Sequence, residues 1–186
     1  MSTTLLHEVP GDLLQATEPV IVQQINCLCV RPHGLSAVIT KKFPYANVYG
    51  QRRPKNPHQN LAIPEDQGQP GQITISYPPK SDNQPIHQPI HQPIVIGLYG
   101  QYDYGKPGTT ARRSTLQQDN YVFRELWFTK SLKRLKQWLI EHQISSVAFP
   151  YGIGCGLAGG NWTRYCQILE QFAADAPYKV MIYRLP

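Results

Sequence analysis

The stretch from Phe149 to Trp162, FPYGIGCGLAGGNW, is where residue type and spacing point most directly to chemistry. Five glycines fall between positions 152 and 160. Glycine leaves no side chain between backbone and ligand, and successive N–H groups can then converge on a phosphate. Within the stretch, Gly154-Cys155-Gly156-Leu157-Ala158-Gly159 spells the dinucleotide pattern G-x-G-x-x-G. Neighbouring positions narrow its meaning. A nucleotide-hydrolysing P-loop needs Lys and then Ser or Thr after the last glycine, whereas Gly160 and Asn161 stand there. A nucleophile elbow needs glycine two positions either side of the nucleophile, and Cys155 has Ile153 and Leu157. As a nucleophile Cys155 would depend on nearby N–H dipoles lowering its pKa. A redox dinucleotide site wants an acidic residue ending the next strand, where Arg184 stands. Hydride transfer does not fit; a cradle for a nucleotide diphosphate does.

Other candidate clusters are weaker. Cys27, Cys29, Cys155 and Cys166 show no C-x-x-C spacing, so reduced thiols are expected and no metal. His87 and His91 are four apart, a spacing that converges only on a helix, which Pro89 forbids. The formal charge is +6 and the pI about 9.2, a balance that favours phosphates, nucleotides or nucleic acid. Basic residues cluster at Lys41, Lys42, Arg52, Arg53 and Lys55, at Arg112 and Arg113, and at Lys130, Lys133, Arg134 and Lys136. The last group reads as the polar side of a helix, leaving a weak nucleic-acid contact through a basic face as one expectation.

Elements must position the glycine stretch. Aliphatic and β-branched runs predict strands at Thr4 to Val9, Val20 to Ile25, Ile73 to Tyr77, Ile94 to Tyr99, Ser146 to Phe149 and Lys179 to Tyr183. Helical spacing of Val122, Leu126, Leu132, Leu135 and Leu139 predicts a helix from about Asn120 to His142, N-capped by Asp119. Shorter helices are expected from Leu35 to Lys42 and from about Asn161, the latter presenting Tyr165, Ile168, Leu169 and Phe172 on one face. This alternation indicates a single α/β domain over residues 1–186, with helices on both faces of a mixed sheet. Residues 54–93 are rich in proline and glutamine, and Gln84 to Ile94 contains three Gln-Pro-Ile units, which predicts a surface loop or hairpin insertion. With no run of about 18 apolar residues and no secretory leader, a soluble, cytoplasmic chain without membrane contact is expected.

The opening segments complete a pattern. Val9-Pro10-Gly11-Asp12-Leu13-Leu14, then Val20 to Cys27 ending in Asn26, then Gly34 to Ile39 followed by Lys41-Lys42-Phe43-Pro44, resemble in order and spacing the start of a macrodomain. Gly152 to Trp162 resembles that family's second phosphate-binding loop. The resemblance implies a three-layer α/β/α fold with a central mixed sheet, binding ADP-ribose at the carboxyl edge without a cofactor. By position it implies that Asp12 accepts from the adenine amino group beside the Leu13 backbone, and that Asn26 contacts the distal ribose. Gly152, Ile153, Gly154, Cys155, Gly156, Leu157 and Ala158 would surround the diphosphate, with backbone N–H groups from 154 to 158 as donors. The loop Cys27 to Gly34 would close over the distal ribose.

The branch with the nearest wording, Gly-Cys-Gly-Leu, contains terminal ADP-ribose glycohydrolases and enzymes acting on ADP-ribose 1″-phosphate. These use a lysine near the end of the strand matching Ile94 to Tyr99 and an aspartate directly after Gly-Cys-Gly-Leu. Gly100-Gln101 and Ala158 occupy those places here. Candidate substitutes are Asp103 as base, Lys106 approaching the distal ribose, a water held by Asn26, and His33, since imidazole suits proton transfer near neutral pH. The resemblance therefore implies either hydrolysis of an ADP-ribosyl group from protein or nucleic acid, or of the 1″-phosphate, or else a reader that binds ADP-ribose without cleaving it.

Overall fold

The computed structural model describes residues 5–79, 92–108 and 119–186. Six strands form one sheet: β1 (Leu6–Pro10), β2 (Val20–Asn26), β3 (Ile73–Ser76), β4 (Ile94–Gln101), β5 (Ser146–Pro150) and β6 (Lys179–Arg184). Their order is β1-β6-β5-β2-β4-β3, and only β3, at the edge, runs antiparallel to its neighbour. The sheet is thus mixed but mostly parallel, so the carboxyl ends of β1, β6, β5, β2 and β4 share one edge. The four-residue β3 lies inside the proline- and glutamine-rich region, whose preceding part is also held down. Ala62 and Gly68 donate their amides to the carbonyls of Leu28 and Cys27. The described part of the expected insertion therefore packs against the loop after β2, and its β3 pairs antiparallel with β4. The triple Gln-Pro-Ile repeat, His87, His91, Arg112 and Arg113 lie wholly or mostly outside the described residues.

Helix α1 (Leu35–Lys42) covers one face of the sheet, while α2 (Tyr121–Glu141) and α3 (Trp162–Ala173) cover the other. On the α1 side Leu13, Ile21, Ile39, Phe43, Val95 and Ala148 pack together. The larger core joins Val20, Val22, Ile96, Leu98, Val147 and Phe149 of the sheet to Phe128, Leu135 and Leu139 of α2 and to Tyr165 and Leu169 of α3. Burial of these aliphatic and aromatic side chains, about 1.5–3 kcal/mol each, is the main force holding the layers.

Helix α2 departs from expectation at its first turns. Its N-cap is Asn120, whose side chain accepts from the Phe123 amide, not Asp119. Val122 and Leu126 face solvent, and the inward stripe begins instead at Arg124, Trp127 and Phe128. Bulky aromatic residues and a paired arginine displace two smaller aliphatics from the core, which apolar periodicity alone does not foresee. Helix α3 starts after Asn161, which caps the Arg164 amide.

Candidate functional site

A cleft of about 580 Å³ opens at the carboxyl edge of the sheet. The last residues of β2, β4 and β5, namely Asn26, Gln101 and Pro150, all line it, as expected where loops from adjacent parallel strands diverge. A register shift between β2 and β4 sits beside it: Gln24 opposes Leu98 while Asn26 opposes Gln101. Such irregularities re-aim side chains next to sites.

The first wall is the loop after β2. Asn26 is buried, and its Oδ1 accepts the Cys29 amide at 2.8 Å, which sets the turn. Its Nδ2 and its own amide both donate to the Tyr49 hydroxyl, at 3.4 and 3.1 Å. Burial pushes the Tyr49 phenol up to about 12, with the Asn26 bond and the Arg52 charge opposing, so the hydroxyl stays protonated near neutrality. Arg52 braces this wall from behind. Its guanidinium donates to the carbonyls of Cys29 at 2.6 Å and Asn26 at 3.0 Å, and lies 4.9 Å from the Tyr49 ring centroid. At the rim, His33 is exposed, its ring stacked on Tyr104 with centroids 6.0 Å apart.

The second wall is the glycine stretch. Gly152, Ile153, Gly154, Gly156, Leu157 and Ala158 line the cleft. Its amides divide into two sets. Those of Ile153, Cys155, Gly159 and Gly160 close turns on Pro150, Gly152, Gly156 and Gly154. Those of Gly152, Gly154, Gly156, Leu157 and Ala158 make no hydrogen bond within the described residues. Three donors in a row at 156–158 are thus left unengaged along the cleft. Leu157 leans across the opening: a Cβ on Gly34 would lie 3.1 Å from its Cδ1.

Cys155 differs from its neighbours in the stretch on two counts. Its amide is engaged with Gly152, and its side chain packs against the core, the thiol donating to the Ile153 carbonyl at 3.3 Å. Burial pushes that thiol up to about 11, opposite to what a nucleophile needs. Asp103 is also turned away from the cleft. It is 1% exposed, and its Oδ1 accepts the Tyr104 amide at 2.8 Å. Lys106 does not line the cleft either; its stem packs over Gly159, where a Cβ would come within 2.8 Å of Lys106 Cγ. Among the described residues no carboxylate, lysine or arginine lines the cleft, and His33 is its one imidazole.

Asp12 and Leu13 sit at the same sheet edge, beyond β1 and two strands from β5, outside the cleft lining. Leu13 is core, whereas Asp12 caps a short 3-10 turn by accepting the Leu14 amide on Oδ1. Its Oδ2 makes no hydrogen bond within the described residues.

Sequence reasoning missed Arg124, which is 1% exposed and bonded to both loops that frame the cleft. Its signal was present, a lone charge in the inward register of α2. Tyr49 was missed as well, and no local pattern marked it.

No model of a protein family matches the sequence, and neither does any curated protein. Solved structures do match in three dimensions. The macrodomain of Mycobacterium tuberculosis DarG aligns with a TM-score of 0.65 at 20% identity over 96% of each chain. The macrodomain of Thermus aquaticus DarG gives 0.60 at 21% over 97% of each. DarTG of Thermosipho africanus, solved in complex with ADP-ribose, gives 0.67 at 18%, covering 99% of this chain and 42% of that one. Sheet order, cleft position and these alignments agree: the chain has the macrodomain fold.

Proposed function

We propose that the cleft binds ADP-ribose, with the diphosphate on the unengaged amides of Gly154, Gly156, Leu157 and Ala158. The observation that carries this reading is that row of main-chain donors, unengaged within the described residues, in a cleft that no charged side chain among the described residues lines. Main-chain donors fixed by turns recognise a diphosphate without the flexible lysines that nucleotide hydrolases use. The adenine would extend toward Asp12, whose Oδ2 is open to its amino group, beside the Leu13 backbone. The distal ribose would lie by Asn26 and Gly34, under the His33–Tyr104 stack. The fold neighbour from T. africanus, solved with ADP-ribose, supports a ligand of this class.

A second reading adds hydrolysis of an ADP-ribosyl derivative. It is favoured by Asn26, whose side chain is held rigidly at the cleft by Cys29 and Tyr49 and could orient a water, with His33 as the titratable partner. Asp103 and Lys106, turned from the cleft, have no direct part in it. Of the basic residues of α2, Lys130, Lys133 and Arg134 face solvent, and Arg134 bonds Gln72.

Calorimetry with ADP-ribose tests binding, with Asp12→Asn as the informative variant because its Oδ1 keeps the turn cap while the charge is removed. Loss of a charge-assisted hydrogen bond, about 1.5–3 kcal/mol, corresponds to roughly tenfold or more in Kd. No heat at hundreds of micromolar ADP-ribose would refute the proposal. Turnover of ADP-ribosylated protein or of ADP-ribose 1″-phosphate, abolished in Asn26→Ala, would establish the hydrolytic reading; none at stoichiometric protein would leave a reader.

A further inference from the structure

We infer that Arg124, held by Asp119, is the positioning residue that sets the spacing between the two loops framing the diphosphate cradle, an inference that rests on the binding proposed above. A guanidinium has five N–H donors in a fixed plane, and here each has an acceptor. Nε and one Nη2 hydrogen form a two-point pair with Asp119, at 2.6 and 2.8 Å. The other Nη2 hydrogen donates to the Asp103 carbonyl at 3.3 Å. The two Nη1 hydrogens donate to Gly105 at 2.6 Å and to Ala158 at 3.4 Å. Arg124 and Asp119 side chains are only 2% and 7% exposed, so the pair is shielded from solvent.

The acceptors lie on separate pieces of chain. Asp103 and Gly105 belong to the loop after β4, Ala158 to the loop after β5, and Arg124 itself to the first turn of α2. One rigid group therefore ties the loop after β4 to the loop after β5. The Ala158 bond has a specific consequence. It ties that carbonyl to the buried guanidinium, while the Gly159 amide closes a turn on Gly156. Both ends of the 156–159 turn are thus tied, while the amides of Leu157 and Ala158 make no hydrogen bond within the described residues. Asp119 neutralises the buried cation and fixes its plane, which a point-charge lysine would not allow.

The test compares wild type with Arg124→Lys, Arg124→Met and Asp119→Asn by calorimetry against ADP-ribose and against AMP, which lacks the diphosphate. Backbone amide resonances of Gly156, Leu157 and Ala158 are followed in the free proteins. The expected result is an ADP-ribose Kd raised about tenfold or more in Arg124→Lys, the scale of one lost anion-binding donor, with AMP affinity unchanged and the three resonances displaced. A purely structural role would lower the melting temperature while leaving the ligand ratio and those resonances as in wild type, and that overturns the inference. If the variants do not fold, the wild-type Arg124 Nε–H resonance decides: strong protection from hydrogen exchange and a shift on adding ADP-ribose are expected, and rapid exchange refutes it. If wild type does not bind ADP-ribose, the binding proposal fails, and the variants' amide resonances alone decide the positioning role.

Discussion

Replacing Gly154 by alanine puts two separable effects on one atom. Gly154 has φ +73°, and an ideal Cβ there would lie 2.5 Å from Tyr165 Cε1 and 2.7 Å from Gln24 Oε1. The left-handed conformation costs a non-glycine residue about 1–2 kcal/mol. Overpacking adds about 1–3 kcal/mol, because Tyr165 is buried against Phe128 and cannot swing away. The sum, about 2–5 kcal/mol, is a large share of the 5–15 kcal/mol typical of a domain. Two neighbours serve as controls. Gly152 has φ +71° and nothing within 4 Å of a Cβ, so alanine there suffers the backbone effect alone. Gly156 has neither a positive φ nor a neighbour within 4 Å, so its alanine variant folds as wild type. Urea titration should rank the variants Gly154→Ala, Gly152→Ala, Gly156→Ala from least to most stable. With a slope near 2 kcal/mol/M, the Gly154→Ala midpoint falls by about 1–2.5 M. The Gly156 methyl would stand in the cleft, so that variant should lose ADP-ribose affinity while keeping its stability. Equal midpoints for Gly154→Ala and Gly156→Ala would refute the close-packed geometry assigned to this turn.

Two further outcomes follow from groups whose ionisation burial disfavours. The folded-state pKa of Tyr49 is raised above its usual 10 to about 12, and that of Tyr45 likewise, both chiefly by burial. Groups raised in this sense stabilise the fold fully below the unfolded value and lose that contribution as pH climbs toward the folded one. Stability measured by urea unfolding should therefore decline above about pH 10, with tyrosinate absorbance lagging behind that of unfolded chain; free ionisation of every tyrosine near pH 10 without unfolding would contradict it. The Cys27 thiol is pushed up to about 12 and that of Cys155 to about 11, again by burial. Both should alkylate far more slowly at pH 8 than in denaturant, and ADP-ribose binding should survive iodoacetamide; rapid modification of Cys155 in the native protein would reopen its role as a nucleophile.

The six strands and three α-helices of the described residues were legible in the sequence, since each has an aliphatic run or a helical repeat long enough to reveal its period. The boundaries of α1 coincide with the expected ones because Gly34 and Pro44 punctuate them. The start of α2 was misread because its inward stripe carries Arg124 and Trp127, and a count of aliphatics passes over both. The glycine-rich loop was legible as a loop, but the division of its amides was not. Whether Cys155 offers its N–H to a ligand or to Gly152 depends on a turn that no letter pattern specifies.

What the sequence by itself determined is the layered fold and the place of the cleft, because hydrophobic periodicity selects strand or helix and glycine clustering marks where backbone must lie open. Tertiary structure alone decided which groups face that cleft. Asp103 and Lys106 stand in a segment that leaves β4 toward it, yet one is turned inward and the other laid over Gly159. Arg52 and Arg124, read from the sequence as surface charge or not at all, are buried behind its two walls. The physical reason is that a charged side chain reaches the interior only where acceptors from distant segments converge on it, and that convergence exists only once the chain has folded.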